Sequence, residues 1–210
     1  MIGVYGGTFN PIHYGHLRTA LDVLEQLSLS KVLMVPSAQP PHRDLPQVSI
    51  DHRWQMLILA LAGQEQLVAD DREIKRKGPS YTFDTLVELR QVFADQPLCL
   101  IQGSDVFLSL HTWHRWQELL EFAHIVVISR GNEDISWSEE VEREYGQHKT
   151  EDFSQLQNNK SGCIIQLDVT GLEISATLIR QKISTNESIR YLLPDSVAGY
   201  IEQHGLYKTL

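Results

Sequence analysis

Short apolar runs alternate with segments of helical periodicity along most of this 210-residue chain. Runs suited to buried strands lie at 2–5, 31–36, 67–69, 98–101, 125–128 and 163–167. Strands that alternate with helices predict a parallel sheet, because parallel strands need a crossover connection and a helix usually supplies it. The runs at 98–101 and 125–128 are apolar at every position, which further predicts that both faces of the sheet are covered.

Helices are predicted between and after these runs. They are expected at 15–27, from a cap at Ser49 or Asp51 to Leu61, at 82–93, at 175–183 and at 194–203. Right-handed crossovers would place the strand-end loops on one edge of the sheet, where doubly wound folds bind ligands. We therefore expect an α/β fold: a Rossmann-like doubly wound parallel sheet with a helical C-terminal segment, forming a single domain over residues 1–210.

Residues 131–162 differ from the rest of the chain in being acidic and polar. Residues 138–145 are weakly helical, and residues 155–160 have no core pattern. We expect this segment to be a surface insertion. Its charges are more simply explained by a solvated face than by a binding surface.

Composition and charge exclude several classes of protein. The formal net charge of −9 argues against broad binding to nucleic acid, which needs a basic face. No apolar run approaches the roughly 18 residues that cross a bilayer, so we expect no membrane span and a cytoplasmic location. Cys99 and Cys163 lie in apolar stretches and are expected to be core thiols. The sequence leaves open whether the chain forms a homo-oligomer.

The stretch from Gly6 to Leu17 joins the first strand to the first helix and is the most informative part of the sequence. Glycines after a strand let backbone N–H groups approach an anion, and the following helix directs its positive end at the same place. His13 and His16 are three residues apart, so both imidazoles can face one ligand, with Gly15 keeping the backbone between them clear. This pattern favours a triphosphate site over a turn with two surface histidines.

A second anion site is predicted near residue 175. Ser175 and Thr177 lie at a predicted helix start, and Arg180 follows about one turn later. Hydroxyls, free N–H groups and a guanidinium that converge on one place can bind an anion. Taken alone, the Ser-x-Thr pattern is equally typical of a simple helix cap.

Together the two stretches resemble the nucleotidyltransferase superfamily. The residues His13-Tyr14-Gly15-His16 are similar to its (T/H)xGH signature, and residues 174–180 are similar to its ISxTxIR motif. The resemblance implies ATP as a substrate, Mg²⁺ on its phosphates without a protein metal site, and His13, His16 and Arg180 as catalytic residues. The ATP-binding residues that it implies are Gly6, Gly7, Thr8, Phe9, His13, His16, Gly103, Asp105, Arg130, Ser175, Thr177 and Arg180.

The resemblance narrows to bacterial nicotinate-nucleotide adenylyltransferases and covers nearly the whole chain. The stretches that carry it are residues 78–86, 102–105, 112–114, 40–43 and 128–131. It implies adenylyl transfer from ATP to nicotinate mononucleotide in NAD biosynthesis. The acceptor-binding residues that it implies are Arg43, Thr82, Asp105, Trp113 and His114. Arg43, Arg130 and Arg180 would supply the local positive charge that an acidic protein needs to hold two anionic nucleotides.

Several alternatives stay open at this stage. Trp113 and Trp116 could form only a core edge, Asp105 could be a helix N-cap, and His111 with His114 has a spacing that hints at a metal, without an evident third ligand. The chain departs from the family's commonest pattern at Asn10, where Asp is frequent, and at His114, where Tyr is often found. The alternatives for function are transfer to another acceptor, such as nicotinamide mononucleotide or phosphopantetheine, and an ATP sensor without turnover.

Overall fold

The computed structural model describes residues 1–40, 46, 48–129 and 137–208. Its strands are β1 Ile2–Gly7, β2 Lys31–Pro36, β3 Leu67–Ala69, β4 Leu98–Gly103, β5 His124–Ser129 and β6 Ile164–Asp168. They form one sheet in the order β3-β2-β1-β4-β5-β6, and every neighbouring pair is parallel. The predicted α/β fold, a Rossmann-like parallel sheet, is confirmed.

Ten α-helices lie in the described residues. They are α1 Tyr14–Gln26, α2 Ile50–Leu61, α3 Arg72–Lys75, α4 Thr82–Val92, α5 Ser104–Phe107, α6 Leu119–Phe122, α7 Glu139–Tyr145, α8 Ser154–Asn158, α9 Ala176–Ser184 and α10 Asp195–Gln203. The five predicted helices agree with α1, α2, α4, α9 and α10 to within one residue at each end. Ser49, and not Asp51, is the N-cap of α2, since its side chain accepts a hydrogen bond from the backbone N–H of His52. No helix in the described residues combines the length and apolarity that crossing a membrane requires.

Both faces of the sheet are covered by apolar packing. In β4, Leu98 and Leu100 point into one hydrophobic cluster, whereas Cys99 and Ile101 point into the other. Successive side chains of a strand point to opposite faces, so a run that is apolar at every position needs a helical layer on each side. Cys99 and Cys163 are buried free thiols, as expected.

The segment expected to be a surface insertion also contributes to the core. Within its described part, Val141 and Tyr145 of α7 are buried, and Leu156 of α8 is 0% exposed. The Tyr145 hydroxyl donates a hydrogen bond to the backbone carbonyl of Trp116. Residues 155–160 were expected to contribute nothing to the core, and Leu156 shows that this was wrong for one position. A single apolar residue on a five-residue helix fills a core position without producing any periodicity.

Candidate active site

The candidate site lies where β1 and β4 are neighbours at the centre of the sheet. From β1 the chain runs outward to β2 and β3 on one side, and then returns to β4, β5 and β6 on the other. The loops that leave the carboxyl ends of β1 and β4 therefore diverge, and doubly wound folds bind ligands in the crevice between such loops. Gly7 ends β1 and Gly103 ends β4, so two of the three glycines predicted to bind ATP end strands at this crevice.

The last two residues of β1 are glycines, of which Gly6 has open space beside it and Gly7 is closely packed. Gly6 is exposed, and a Cβ at Gly6 would meet no atom within 4 Å. Phe9 is buried with a φ of +45°, and its ring lies 2.9 Å from where a Cβ of Gly7 would be. The backbone at Gly6 is therefore accessible, while the buried Phe9 ring packs the start of the loop against the core.

The two predicted histidines contact each other. Their imidazole rings are stacked, with 3.7 Å between centroids and an interplanar angle of 27°. His13 is the N-cap residue of α1 and is only 4% exposed, and the half-buried His16 meets the Phe9 ring edge to face at 5.1 Å. A Cβ at Gly15 would come within 3.0 Å of the His13 ring and 3.4 Å of the Ile174 carbonyl, so a side chain here would require the His13 ring to shift.

The second motif meets the first directly. Arg180 of α9 donates one hydrogen bond from Nη1 to the backbone carbonyl of Asn10 at 2.8 Å and another from Nη2 to Thr177 Oγ1 at 3.2 Å. Ser175 is the N-cap of α9, and its hydroxyl accepts a hydrogen bond from the Leu178 N–H at 3.1 Å. The cap alternative is therefore correct for Ser175, and Arg180 of the same helix contacts the loop after β1.

The C-terminal segment also reaches this loop. The Tyr207 hydroxyl donates a hydrogen bond to Asn10 Oδ1 at 2.6 Å, and burial raises the pKa of Tyr207. Asn10 therefore accepts hydrogen bonds from two distant parts of the chain, through its carbonyl from Arg180 and through its side chain from Tyr207. The sequence carries no signal for this contact, because 197 residues separate the partners.

The predicted acceptor residues form a second group. Thr82 is the first residue of α4, and the preceding Tyr81 stacks on His114 with 4.4 Å between ring centroids. Trp113 is partly buried against the hydrophobic cluster that contains Phe83. Trp116 is buried, so the core-edge alternative is correct for Trp116, whereas Trp113 keeps part of its ring exposed.

Asp105 lies at the carboxyl end of β4 within the short helix α5. Gly103 is the N-cap of that helix, so the interpretation of Asp105 as the N-cap is wrong. Asp105 is exposed, and its Oδ1 lies 2.5 Å from where a Cβ of Gly103 would be. The glycine therefore lets the carboxylate fold back over the strand end.

A buried carboxylate lies beneath the acceptor segment. Glu73 accepts a hydrogen bond from Thr85 Oγ1 at 2.6 Å, and burial raises the pKa of Glu73. Thr85 also accepts a hydrogen bond from Arg76 at 2.6 Å. Ser80 accepts hydrogen bonds from the backbone N–H groups of Ala38 and Gln39, at 3.0 and 3.2 Å. These contacts tie the start of α4 to the loop that follows β2.

Sequence reasoning missed Arg53, which is 1% exposed. Its guanidinium donates to the carbonyls of Thr8 at 2.7 Å and Ser37 at 2.8 Å, and more weakly to Ala38 at 3.4 Å. A signal was present: the buried positions of α2 are Arg53, Met56, Leu57 and Leu61, so an arginine occupies the apolar stripe of that helix.

Arg43 and Arg130, the other two predicted arginines, lie outside the described residues. Within the part of the chain that the structure describes, no group of three His, Cys, Asp or Glu side chains is placed to hold a metal ion. A divalent cation carried on substrate phosphates would not need such a group.

Three comparisons with known proteins bear on this site. Residues 4–182 match the cytidylyltransferase-like family. A probable nicotinate-nucleotide adenylyltransferase of Pseudomonas fluorescens is 47% identical, with 99% of this chain and 97% of the relative covered. A relative of the same name from Methylococcus capsulatus is 46% identical, with 99% of both chains covered.

The fold is shared with a solved structure of low sequence identity. The nicotinic acid mononucleotide adenylyltransferase of Plasmodium falciparum, complexed with NaAD, superimposes with a TM-score of 0.73 at 18% identity, covering 98% of this chain and 96% of the other. At this identity the likeness concerns the fold alone. The full-length matches above 40% identity carry the assignment further: the chain belongs to the cytidylyltransferase-like family and, within it, to the nicotinate-nucleotide adenylyltransferases.

Proposed function

We propose that this chain transfers the adenylyl group of ATP to nicotinate mononucleotide, releasing pyrophosphate and forming nicotinate adenine dinucleotide, a step of NAD biosynthesis. The observation that carries the proposal is the hydrogen bond from Arg180 to the Asn10 carbonyl. It joins α9, the helix that begins with the Ser-x-Thr pattern, to the histidine loop, residues 8–13 after β1. The contact lies in the crevice where a doubly wound sheet binds nucleotides. The full-length relatives named for this activity support the choice of acceptor.

In the proposed reaction, a phosphate oxygen of the acceptor attacks the α-phosphorus of ATP. A bond forms between that oxygen and the α-phosphorus, the bond to the β-phosphate bridging oxygen breaks, and pyrophosphate leaves. The attacking oxygen is already ionised at neutral pH, so neither a general base nor a covalent intermediate is needed. Catalysis can then rest on positioning and on stabilising the charge that develops at the transferred phosphorus.

The residues divide these tasks. His13, His16 and Arg180 stabilise the phosphates, with Gly6, Gly7, Thr8 and Phe9 forming the loop around them. Asp105 contacts ribose, Gly103 contributes to the ATP site, and Ser175 and Thr177 close over ATP. On the acceptor side, Thr82 and nearby backbone N–H groups receive the nicotinate carboxylate, and the partly exposed Trp113 stacks on the pyridine. His114 also contacts the acceptor. Arg43 and Arg130, predicted from the sequence to contact phosphate and to lie beside adenine, complete the proposal.

Mg²⁺ fits this scheme as a cation carried mainly by the phosphate oxygens of ATP and by water. When bound, it would neutralise the charge of the leaving pyrophosphate. The chain's own contribution is the cationic and N–H-rich lining that orients the phosphates. A cytoplasmic location and the absence of nucleic-acid and membrane partners stay predictions from the composition.

The test is pyrophosphate release with ATP, Mg²⁺ and one acceptor at a time: nicotinate mononucleotide, nicotinamide mononucleotide or phosphopantetheine. We expect release with nicotinate mononucleotide at a kcat/KM well above that for the amide. Release with phosphopantetheine alone would overturn the acceptor, and ATP binding without release under any acceptor would support the sensor instead.

A further inference from the structure

Arg53 lies between the two halves of the site. It is on the buried face of α2, and its Nη1 donates both to the Thr8 carbonyl and to the Ser37 carbonyl. Thr8 belongs to the histidine loop after β1, and Ser37 begins the loop after β2. The guanidinium therefore bonds to both loops, in addition to the backbone hydrogen bond from the Ser37 N–H to the Gly7 carbonyl at 2.9 Å.

The loop after β2 is hydrogen-bonded to the segment that carries the acceptor residue Thr82. Arg53 binds the carbonyl of Ala38 from one side, and the Ala38 N–H donates to Ser80 Oγ on the other. Ser80 stands two residues before Thr82, the start of α4. A continuous path of hydrogen bonds thus runs from the acceptor segment through Ala38 and Arg53 to the histidine loop.

Arg53 carries a buried positive charge. None of the ion pairs among the described residues includes Arg53. Burial lowers the pKa of Arg53, but a guanidinium stays protonated in proteins. Desolvating a charge costs free energy. An arginine kept in a buried stripe and bonded, among the described residues, to loop carbonyls therefore indicates a role beyond packing.

We propose that Arg53 is a positioning residue. It sets the spacing between the histidine loop after β1 and the loop after β2, so that the acceptor phosphate meets the α-phosphorus of ATP. The inference rests on the proposed function. Nη1 binds the carbonyls of both loops and Nη2 reaches Ala38. A lysine ends one bond short of the Nη1 position and has no second nitrogen, so it does not reproduce these contacts. Loss of this spacing affects the reacting geometry more than the binding of either substrate.

Arg90 offers a matched control at the opposite edge of the sheet. Among the described residues, its guanidinium likewise binds backbone carbonyls, those of Phe93, Gln96, Phe122 and Lys160. Gln96 precedes β4 and Phe122 precedes β5, so these contacts lie at the amino ends of the strands, away from the site. Replacing Arg90 removes a comparable set of hydrogen bonds without touching either substrate loop.

The experiment measures kcat, both KM values and Tm for the wild type, Arg53→Lys, Arg53→Met and Arg90→Met. The stoichiometry of ATP binding by calorimetry counts the folded, binding-competent molecules, so each kcat is expressed per competent site. We expect kcat to fall about 10²-fold in Arg53→Met and about tenfold in Arg53→Lys. Both KM values should change less than kcat, and Arg90→Met should lower Tm while keeping kcat within about twofold.

A kcat per competent site within about twofold of the wild type in Arg53→Lys would overturn the proposal, even if Arg53→Met fails to fold. It would also be overturned if Arg90→Met lost as much kcat as the Arg53 variants, since the effect would then be general loosening. A wild type that releases no pyrophosphate with nicotinate mononucleotide refutes the proposed function first, and the role of Arg53 falls with it. An active wild type with unaffected Arg53 variants refutes only the inference.

Discussion

Replacing His16 with alanine separates packing from catalysis at the centre of the site. As a packing residue, His16 offers a half-buried ring stacked on His13 at 3.7 Å and edge-on to Phe9 at 5.1 Å. Ring contacts of this kind are worth about 0.5–1.5 kcal/mol of stability each. As a group that stabilises charge in the transition state, it would be worth about 2.7–4 kcal/mol of barrier, or 10²- to 10³-fold in kcat. We therefore expect His16→Ala to remain folded and to lose about 10²-fold or more in kcat.

The assay is pyrophosphate release at saturating ATP and nicotinate mononucleotide, with a thermal melt of the same sample. His148→Ala is the control, because His148 is also half-buried and bonds through Nδ1 to the Gly162 carbonyl, near the amino end of β6. That variant should lose some stability and keep kcat. A kcat of His16→Ala within about threefold of the wild type would refute the catalytic role.

Three further predictions concern the acceptor, the C-terminal contact and pH. Trp113→Ala should weaken nicotinate mononucleotide binding by about 1–3 kcal/mol and leave the Kd of ATP unchanged, as measured by calorimetry; equal loss for both would indicate damage to the fold. Tyr207→Phe removes the donor to Asn10 Oδ1 and should lower the free energy of unfolding in urea by about 1 kcal/mol, together with a fall in kcat. An unchanged kcat would show that the Tyr207 contact has no role in the reaction. Burial lowers the pKa of His124, which is 0% exposed, below its usual 6.5. As pH falls through 6.5 the unfolded chain takes up a proton that the folded chain does not, so stability should drop by at most about 1.4 kcal/mol per pH unit. His124→Gln should reduce the change in the free energy of unfolding between pH 7 and 5.5. If that change is the same as in the wild type, other groups cause the pH dependence.

The sequence alone was sufficient wherever the information is local. The apolar runs at 98–101 and 125–128 predicted strands covered on both faces, because a strand with apolar residues at every position must bury both of its sides. The three-residue separation likewise placed His13 and His16 side by side, although the stacking of their rings was not predicted. The burial of Leu156 could not be predicted, because one apolar residue in a polar run produces no hydrophobic periodicity.

The tertiary structure decided which distant segments meet. Arg180 and Tyr207 bind the same residue, Asn10, from 170 and 197 positions away. Arg53 could be recognised as unusual from its place in an apolar stripe, but only the fold shows that it lies under two loops. Backbone geometry within a turn or a strand is encoded by neighbouring residues, so the sequence displays it directly. Contacts between strand-end loops depend instead on the crossovers and on how the helices pack over the sheet, which no short stretch of sequence contains.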